Sequence, residues 1–179
     1  RVYTLNGTTG FGMAKLMNDY AGKEDYSFAV QTDPEVVTKA LIAGDIDIAA
    51  LPTNAAANLY KRTNGAIQIL AINTLGVLYL LSNGEDVTDF NSLKGKTIYL
   101  PGAGSNPEFI TAALLKANGL GEGDVTLDTT TYPSPDALAT AVTAGEAKLA
   151  VLPEPKVTVV TSGNANVKVA MDFTDEWEK

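Results

Sequence analysis

One stretch of twenty residues occurs twice in this chain, and this repeat limits the possible folds more than any other sequence feature. Residues 33–52 read DPEVVTKALIAGDIDIAALP, and residues 134–153 read SPDALATAVTAGEAKLAVLP. Seven of the twenty positions are identical, and most of the others keep their physical character. The repeat therefore predicts that the chain builds the same supersecondary unit twice.

Each copy predicts a helix followed directly by a strand. Asp33 and Ser134 are N-cap residue types, and the proline after each suits the first helical position. Gly44 and Gly145 suit the left-handed position that ends a helix. The apolar runs that follow, IDIAALP and AKLAVLP, indicate strands of a parallel sheet buried on both faces. A helix followed by a buried strand is half of a βαβ unit.

The repeat extends upstream, where VYTLNGTTG (residues 2–10) resembles TIYLPGAGS (residues 97–105). Each segment predicts a strand that runs into a glycine-rich turn and then a helix, and Ser105 with Glu108 forms a capping-box pattern. Further elements are expected in both halves: strands at 26–31 and 125–131, helices at 54–63 and 156–162, and strands at 67–73 and 167–171.

These elements predict an α/β fold with two similar lobes and mainly parallel sheets. We expect lobe 1 at residues 1–82, a polar linker at 83–95, lobe 2 at 96–171 and the start of a return crossover at 172–179, with hinge strands between residues 70 and 81. The alternative is one continuous sheet built from both halves.

Ligands of open parallel sheets bind beyond the carboxyl ends of the strands, so each lobe has a candidate ligand-binding rim. The candidate residues of the first lobe are Asn6, Gly7, Thr8, Thr9, Gly10, Thr32, Thr53 and Asn54. Those of the second lobe are Gly102, Gly104, Ser105, Asn106, Tyr132 and Glu154.

Each of these residues also has a structural interpretation. The glycine turns can be plain βα connections, Asn54 can cap the following helix, and Glu154 can begin one. Tyr132 can stack on a ligand ring or simply cover the sheet edge. Neither glycine turn matches the spacing of a P-loop or a dinucleotide fingerprint.

Composition excludes several functions. The chain has no Cys and no His, which removes thiolate nucleophiles, imidazole bases and the usual zinc ligands, so no metal or cofactor is expected. The formal net charge is −8 and no Lys/Arg cluster occurs, which argues against a nucleic-acid partner. No Lys or Arg lies inside the rim segments, and Lys156 is the nearest basic residue. A strongly charged anion is therefore disfavoured, and we expect a nitrogen-bearing, zwitterionic or small oxyanion-bearing solute.

Four segments in this order, LNGTTGFGMAKLM, ALIAGDIDIAALPTNAA, SLKGKTIYLPGAGSNPEFITAALLKANGL and AGEAKLAVLPEP, resemble the solute-binding proteins of ABC importers of the nitrate, sulfonate and thiamine-precursor type. The resemblance implies the type II periplasmic-binding fold, with a small solute bound between two lobes, hinge closure and delivery to a membrane permease. It implies an extracytoplasmic location, with a signal or lipid anchor outside this chain.

The resemblance also implies ligand contacts from residues 7–10, Thr53, Asn54, residues 104–106 and Glu154. Family members usually continue past residue 179 to complete the first lobe, so the chain is expected to lack that part. The alternative function is a small-molecule enzyme of the same fold, similar to those of menaquinone synthesis, that uses carboxylates such as Glu154 or Asp33.

Overall fold

The computed structural model describes residues 1–179, which divide into two units, Arg1–Leu75 and Gly76–Lys179. The elements of the first unit are β1 (Val2–Leu5), α1 (Thr8–Phe11), α2 (Ala14–Tyr20), β2 (Phe28–Gln31), α3 (Pro34–Ala43), β3 (Ile48–Ala49) and α4 (Thr53–Arg62). Its three strands form one parallel sheet in the order β2-β1-β3.

The second unit contains a larger, mixed sheet. Its elements are β4 (Leu78–Asn83), a 3₁₀ helix (Phe90–Leu93), β5 (Thr97–Tyr99), α5 (Asn106–Ala117), β6 (Thr126–Asp128), α6 (Pro135–Ala144), β7 (Leu149–Pro153), α7 (Lys156–Gly163), β8 (Val167–Asp172) and α8 (Phe173–Trp177). The strand order is β6-β5-β7-β4-β8. Strand β5 is parallel to β6 and β7, whereas β4 is antiparallel to β7 and β8. The predicted α/β fold is confirmed, with one parallel sheet and one mixed sheet.

The repeat folds through the predicted local signals. The Asp33 carboxylate accepts a hydrogen bond of 2.8 Å from the Glu35 N–H, and the Ser134 hydroxyl accepts one of 3.2 Å from the Ala137 N–H. Gly44 and Gly145 end α3 and α6 with φ values of 76° and 82°, a region that L side chains rarely adopt.

The hydrophobic core is concentrated in the second unit. Its sheet is covered on both faces, because alternate residues of β4 point to opposite sides: Leu80 joins the core under α5, and Leu81 joins the core under α6 and α7. The core of the first unit centres on Leu5, Val37 and Ile46. The two units therefore differ in how much apolar surface they bury.

The first unit departs from the prediction in its last segment. The expected strand at 67–73 is wrong: residues 68–77 have no regular secondary structure. An apolar sequence becomes a strand only where another strand supplies backbone hydrogen bonds, and this segment pairs with none. Its side chains Ile69, Leu70 and Ile72 are exposed.

Other boundaries also shift. Residues 76–82, which we expected in lobe 1, belong to the second unit, because β4 pairs with β7 and β8. The expected strand at 125–131 is shorter and ends at Asp128. Ser105 takes the N-cap position of α5, but its hydroxyl donates to the Gly102 carbonyl oxygen and does not cap the helix.

Candidate functional site

The first candidate rim lies at the carboxyl ends of three adjacent parallel strands. Leu5 is in register with Gln31, and the Asn6 N–H donates to the Gln31 carbonyl oxygen at 3.0 Å. Asn6 and Thr32 therefore follow directly on neighbouring strands, and both are exposed. Because β1 is the central strand, its glycine turn lies between the loops that follow β2 and β3.

The glycine turn of this rim requires glycine at two positions. Gly7 has a φ of 86° and precedes α1. A Cβ atom at Gly10 would lie 2.7 Å from the Leu5 carbonyl oxygen, so any side chain there would displace backbone. Thr8 and Thr9 lie between them and are half-buried. The turn can therefore bring backbone N–H and threonine hydroxyl groups close to a ligand.

The third loop of the first rim begins a helix. Helix α4 starts at Thr53 with Pro52 in the N-cap position, so Asn54 lies in the first turn and is not the N-cap. Thr53 is exposed and Asn54 is half-buried. Both residues present neutral polar groups at the amino-terminal end of a ten-residue helix, where the helix dipole is positive.

The second candidate rim lies at the carboxyl ends of β6, β5 and β7. Tyr99 of β5 is in register with Asp128 of β6 and with Ala150 of β7, so the three loops are neighbours. A Cβ atom at Gly102 would lie 3.2 Å from the Pro133 carbonyl oxygen, which shows that the loops after β5 and β6 are in contact.

Tyr132 has a structural partner at this rim. Its ring packs against that of Tyr99, with centroids 5.3 Å apart and planes at 67°, and it borders the core under α6 and α7. Burial raises the pKa of the Tyr132 hydroxyl above its usual value of 10. Both features favour the role of covering the sheet edge.

The loop after β5 is closed by a carboxylate. The Gly104 N–H donates to Glu108 Oε2 at 2.6 Å, so the acidic side chain turns back over the amino-terminal end of α5. The expected capping box therefore differs from the usual arrangement, because the Glu108 carboxylate binds the N–H of Gly104, the residue before the N-cap Ser105. Ser105 and Asn106, which we predicted as ligand contacts, are half-buried beside it.

Glu154 acts as a helix cap in this structure. Its carboxylate accepts hydrogen bonds from the Thr158 N–H at 3.2 Å and from the Thr158 hydroxyl at 2.9 and 3.0 Å. The residue is half-buried between Pro153 and Pro155. Its carboxylate is thus held in place at the end of β7 by the first turn of α7.

Asp128 is a rim residue that our sequence prediction did not include. Its carboxylate accepts hydrogen bonds from the Thr131 hydroxyl at 2.6 Å and from the N–H groups of Thr130 and Thr131, each at 2.9 Å. These bonds, chiefly the one from the Thr131 hydroxyl, lower the pKa of the Asp128 carboxyl from 3.8 to about 2. The sequence Asp-Thr-Thr-Thr is a side-chain turn signal that would have identified it.

Lys156, the basic residue nearest to the rims, forms an ion pair with Asp136. A cavity of about 280 Å³ is lined by Glu85, Lys96, Thr97, Tyr99, Glu146, Lys148 and Leu149. No group of three or more metal-ligating side chains is present, and no helix is long and apolar enough to cross a membrane.

Solved structures of ABC-importer components share this fold. An ABC transporter protein from Parabacteroides distasonis aligns over 96% of this chain and 58% of its own, with a TM-score of 0.75 and 24% identity. The periplasmic aliphatic sulphonate binding protein SsuA from Escherichia coli aligns over 98% of this chain and 57% of its own, with a TM-score of 0.70 and 20% identity.

A binding protein component of an ABC phosphonate transporter from Pseudomonas aeruginosa aligns over 95% of this chain and 63% of its own, with a TM-score of 0.58 and 12% identity. The chain therefore spans less than two thirds of the length of these structures. No curated protein matches the chain in sequence.

A family model matches residues 13–169, which include α2, both copies of the repeat and the first half of β8. The model describes the periplasmic substrate-binding protein of phosphonate ABC transporters. Because the match covers most of the sequence and the fold agrees with it, the chain belongs to this family of ABC-transporter periplasmic substrate-binding proteins.

Proposed function

We propose that the chain is part of an extracytoplasmic receptor that binds a small organic solute and delivers it to an ABC permease in the membrane. The observation that carries the proposal is the pair of rims, each made of three parallel strand ends with glycine turns and small polar side chains. Membership of a substrate-binding family supports the same function.

The proposed ligand contacts combine neutral and acidic groups. The first rim offers the backbone and hydroxyl groups of residues 7–10, together with Asn6, Thr32, Thr53 and Asn54. The second offers residues 102 and 104–106, with Tyr132 at its edge and Glu154 as an acceptor for an N–H group. A solute that is nitrogen-bearing, zwitterionic or carries a small oxyanion suits such a set.

Closure of the two lobes on the solute belongs to the same proposal. Small-angle X-ray scattering with and without solute measures it, and a smaller radius of gyration in the bound state is the expected result. An unchanged radius of gyration at saturating solute would contradict hinge closure while leaving solute binding intact.

Catalysis has less support than binding. An enzyme of this fold without His or Cys would need a carboxylate as its acid or base. Asp33 and Glu154, the two that the sequence suggested, are both engaged in capping helices. Each of these carboxylates is therefore already bound to the first turn of its own helix.

The test is to denature the purified protein, identify the released solute by mass spectrometry and measure its affinity by calorimetry. We expect Glu154→Gln to weaken binding by about tenfold, because a charge-assisted hydrogen bond contributes roughly 1.5–3 kcal/mol. Glu122→Gln, an exposed carboxylate in the loop before β6, is the matched control and should leave the affinity unchanged. Conversion of the solute into a product would overturn the receptor function.

A further inference from the structure

Two close glycine contacts bracket the segment that connects the two units. A Cβ atom at Gly12 would lie 2.8 Å from Asn73 Cγ and 2.9 Å from the Asn73 carbonyl oxygen. A Cβ atom at Gly76 would overlap Thr174 Oγ1 and lie 3.0 Å from Thr174 Cβ. Elsewhere in the chain, only Gly10 is packed as tightly. Two of the three glycines without room for a side chain therefore lie against this one segment.

Gly12 and Gly76 are needed for space and not for backbone freedom. Gly12 has a φ of −61° and a ψ of −20°, values that any residue adopts. Gly76 does not have a positive φ either. Replacing either glycine by alanine therefore changes its packing against Asn73 or Thr174 and leaves the local backbone conformation accessible.

The contact with Gly12 ties the connection to the first unit. Asn73 lies against the residue that ends α1, and its side-chain amide donates to the Thr9 carbonyl oxygen at 3.5 Å. Thr9 belongs to the glycine turn of the first rim. The end of the connection is thus packed on the same turn that the first rim uses.

The contact with Gly76 ties the other end of the connection to the second unit. Thr174 lies in the first turn of α8, where its N–H donates to the Asp172 carboxylate at 2.8 Å. One residue after Gly76, the Val77 carbonyl oxygen accepts a hydrogen bond of 3.1 Å from the Glu154 N–H. The chain is therefore held by the second unit from Gly76 onwards.

Only Thr74 and Leu75 lie between these two anchored ends. Neither belongs to a helix or strand, and neither makes a backbone hydrogen bond with the rest of the chain. The Leu75 side chain is 90% exposed, and the division between the two units falls directly after it. Hinges between domains are often a few such loop residues, which absorb a change in φ and ψ while their flanks stay packed.

From these contacts we infer that the two units move relative to each other by rotation about the backbone of Thr74 and Leu75, and that the packing of Gly12 and Gly76 confines the motion to these two residues. The inference rests on the proposed function, because it names the place where the proposed lobe closure occurs. It narrows the hinge that the sequence predicts between residues 70 and 81 to two positions. The contacts that carry it involve no solute.

The first measurement is ¹⁵N relaxation of the parent chain without solute, which gives an order parameter for each backbone N–H. We expect order parameters below about 0.6 at Thr74 and Leu75, the range of flexible backbone, and about 0.85 at Asn73 and Val77, the value of rigid backbone. The change from rigid to flexible should therefore occur within one residue on each side.

Two alanine variants test the glycine contacts. Gly12→Ala should extend the low order parameters back to Asn73, because the added methyl group displaces Asn73 from the turn. Gly76→Ala should extend them forward to Val77, because the methyl group overlaps the Thr174 side chain. A second substitution, Thr174→Ala, removes the overlapping hydroxyl and should restore order at Val77 in the Gly76→Ala background.

Gly163→Ala is the matched control. A Cβ atom at Gly163 would meet Thr143 Cγ2 at 3.7 Å, an ordinary van der Waals contact, so this variant should behave like the parent chain. Circular dichroism of each variant shows that the fold is retained.

Spin labels test whether the flexible pair is the hinge between the units. Because the chain has no Cys, Lys39→Cys on α3 and Lys116→Cys on α5 place one label in each unit and nowhere else. Double electron–electron resonance gives the distribution of distances between the labels. We expect a wider distribution in Gly12→Ala and Gly76→Ala than in the parent chain, and no change in Gly163→Ala.

Two results would overturn the inference: order parameters at Thr74 and Leu75 as high as those of β4, or Gly12 and Gly76 variants that match Gly163→Ala in both measurements. The proposed function is judged separately, by whether the parent chain releases and rebinds an organic solute. A receptor that binds its solute with a rigid connection would retain the proposed function and lose this hinge.

Discussion

At the scale of single residues, Asp128 shows how the second rim orders its acidic groups. Because the Thr131 hydroxyl and two N–H groups stabilise the ionised form, the folded pKa of about 2 lies below the ordinary value of 3.8. The contribution of these bonds to the free energy of folding is therefore present above the unfolded pKa and is lost as the pH falls through about 2.

We predict that Thr131→Val raises the Asp128 pKa towards 3.8, measured by ¹³C NMR of the carboxyl carbon. Thr129→Val, which removes no bond to Asp128, should leave it unchanged; equal shifts in both variants would contradict this explanation.

At the scale of elements, two serines in equivalent N-cap positions have different roles. Ser134 accepts a hydrogen bond from the Ala137 N–H of α6, whereas the Ser105 side chain caps no N–H of α5. We therefore expect Ser134→Ala to lower the free energy of unfolding by about 1 kcal/mol, the usual cost of a lost N-cap. Ser105→Ala should cost less, since it loses only a bond to the Gly102 carbonyl oxygen. Urea denaturation measures both, and equal losses would show that Ser134 does not act as a cap.

At the scale of the whole molecule, the two units differ in core size. Only six of the thirty buried apolar residues lie in the first unit, which also holds nine of the thirteen large apolar side chains that are exposed. Since apolar burial is the main source of stability, we predict faster amide hydrogen exchange in β1 and β2 than in β4 and β7. Mass spectrometry of exchanged peptides measures this difference. Equal protection in the two sheets would mean that the first unit is stabilised by more than its own core.

Helix boundaries, fold class and the position of both rims were accessible from the sequence, because their causes are local. Asp33, Ser134, Gly44 and Gly145 act on backbone groups within five residues of themselves, so their roles can be recognised without the fold. The internal repeat then placed the strand ends and their loops in corresponding positions. Family resemblance added the expectation of a binding protein, which the family match bears out.

Only the tertiary structure decided how distant segments pair. Strand β4 lies between β7 and β8, about 70 and 90 residues further along the chain, while the equally apolar segment at 67–73 finds no partner strand. The partner of Glu154 was also open from the sequence, because a glutamate at this position can cap a helix, bind a ligand or stay in solvent. The sequence by itself determined where the two helices of the repeat, α3 and α6, begin and end, through contacts of short range. The pairing of β4 with β7 and β8 depends on geometry that exists only after folding.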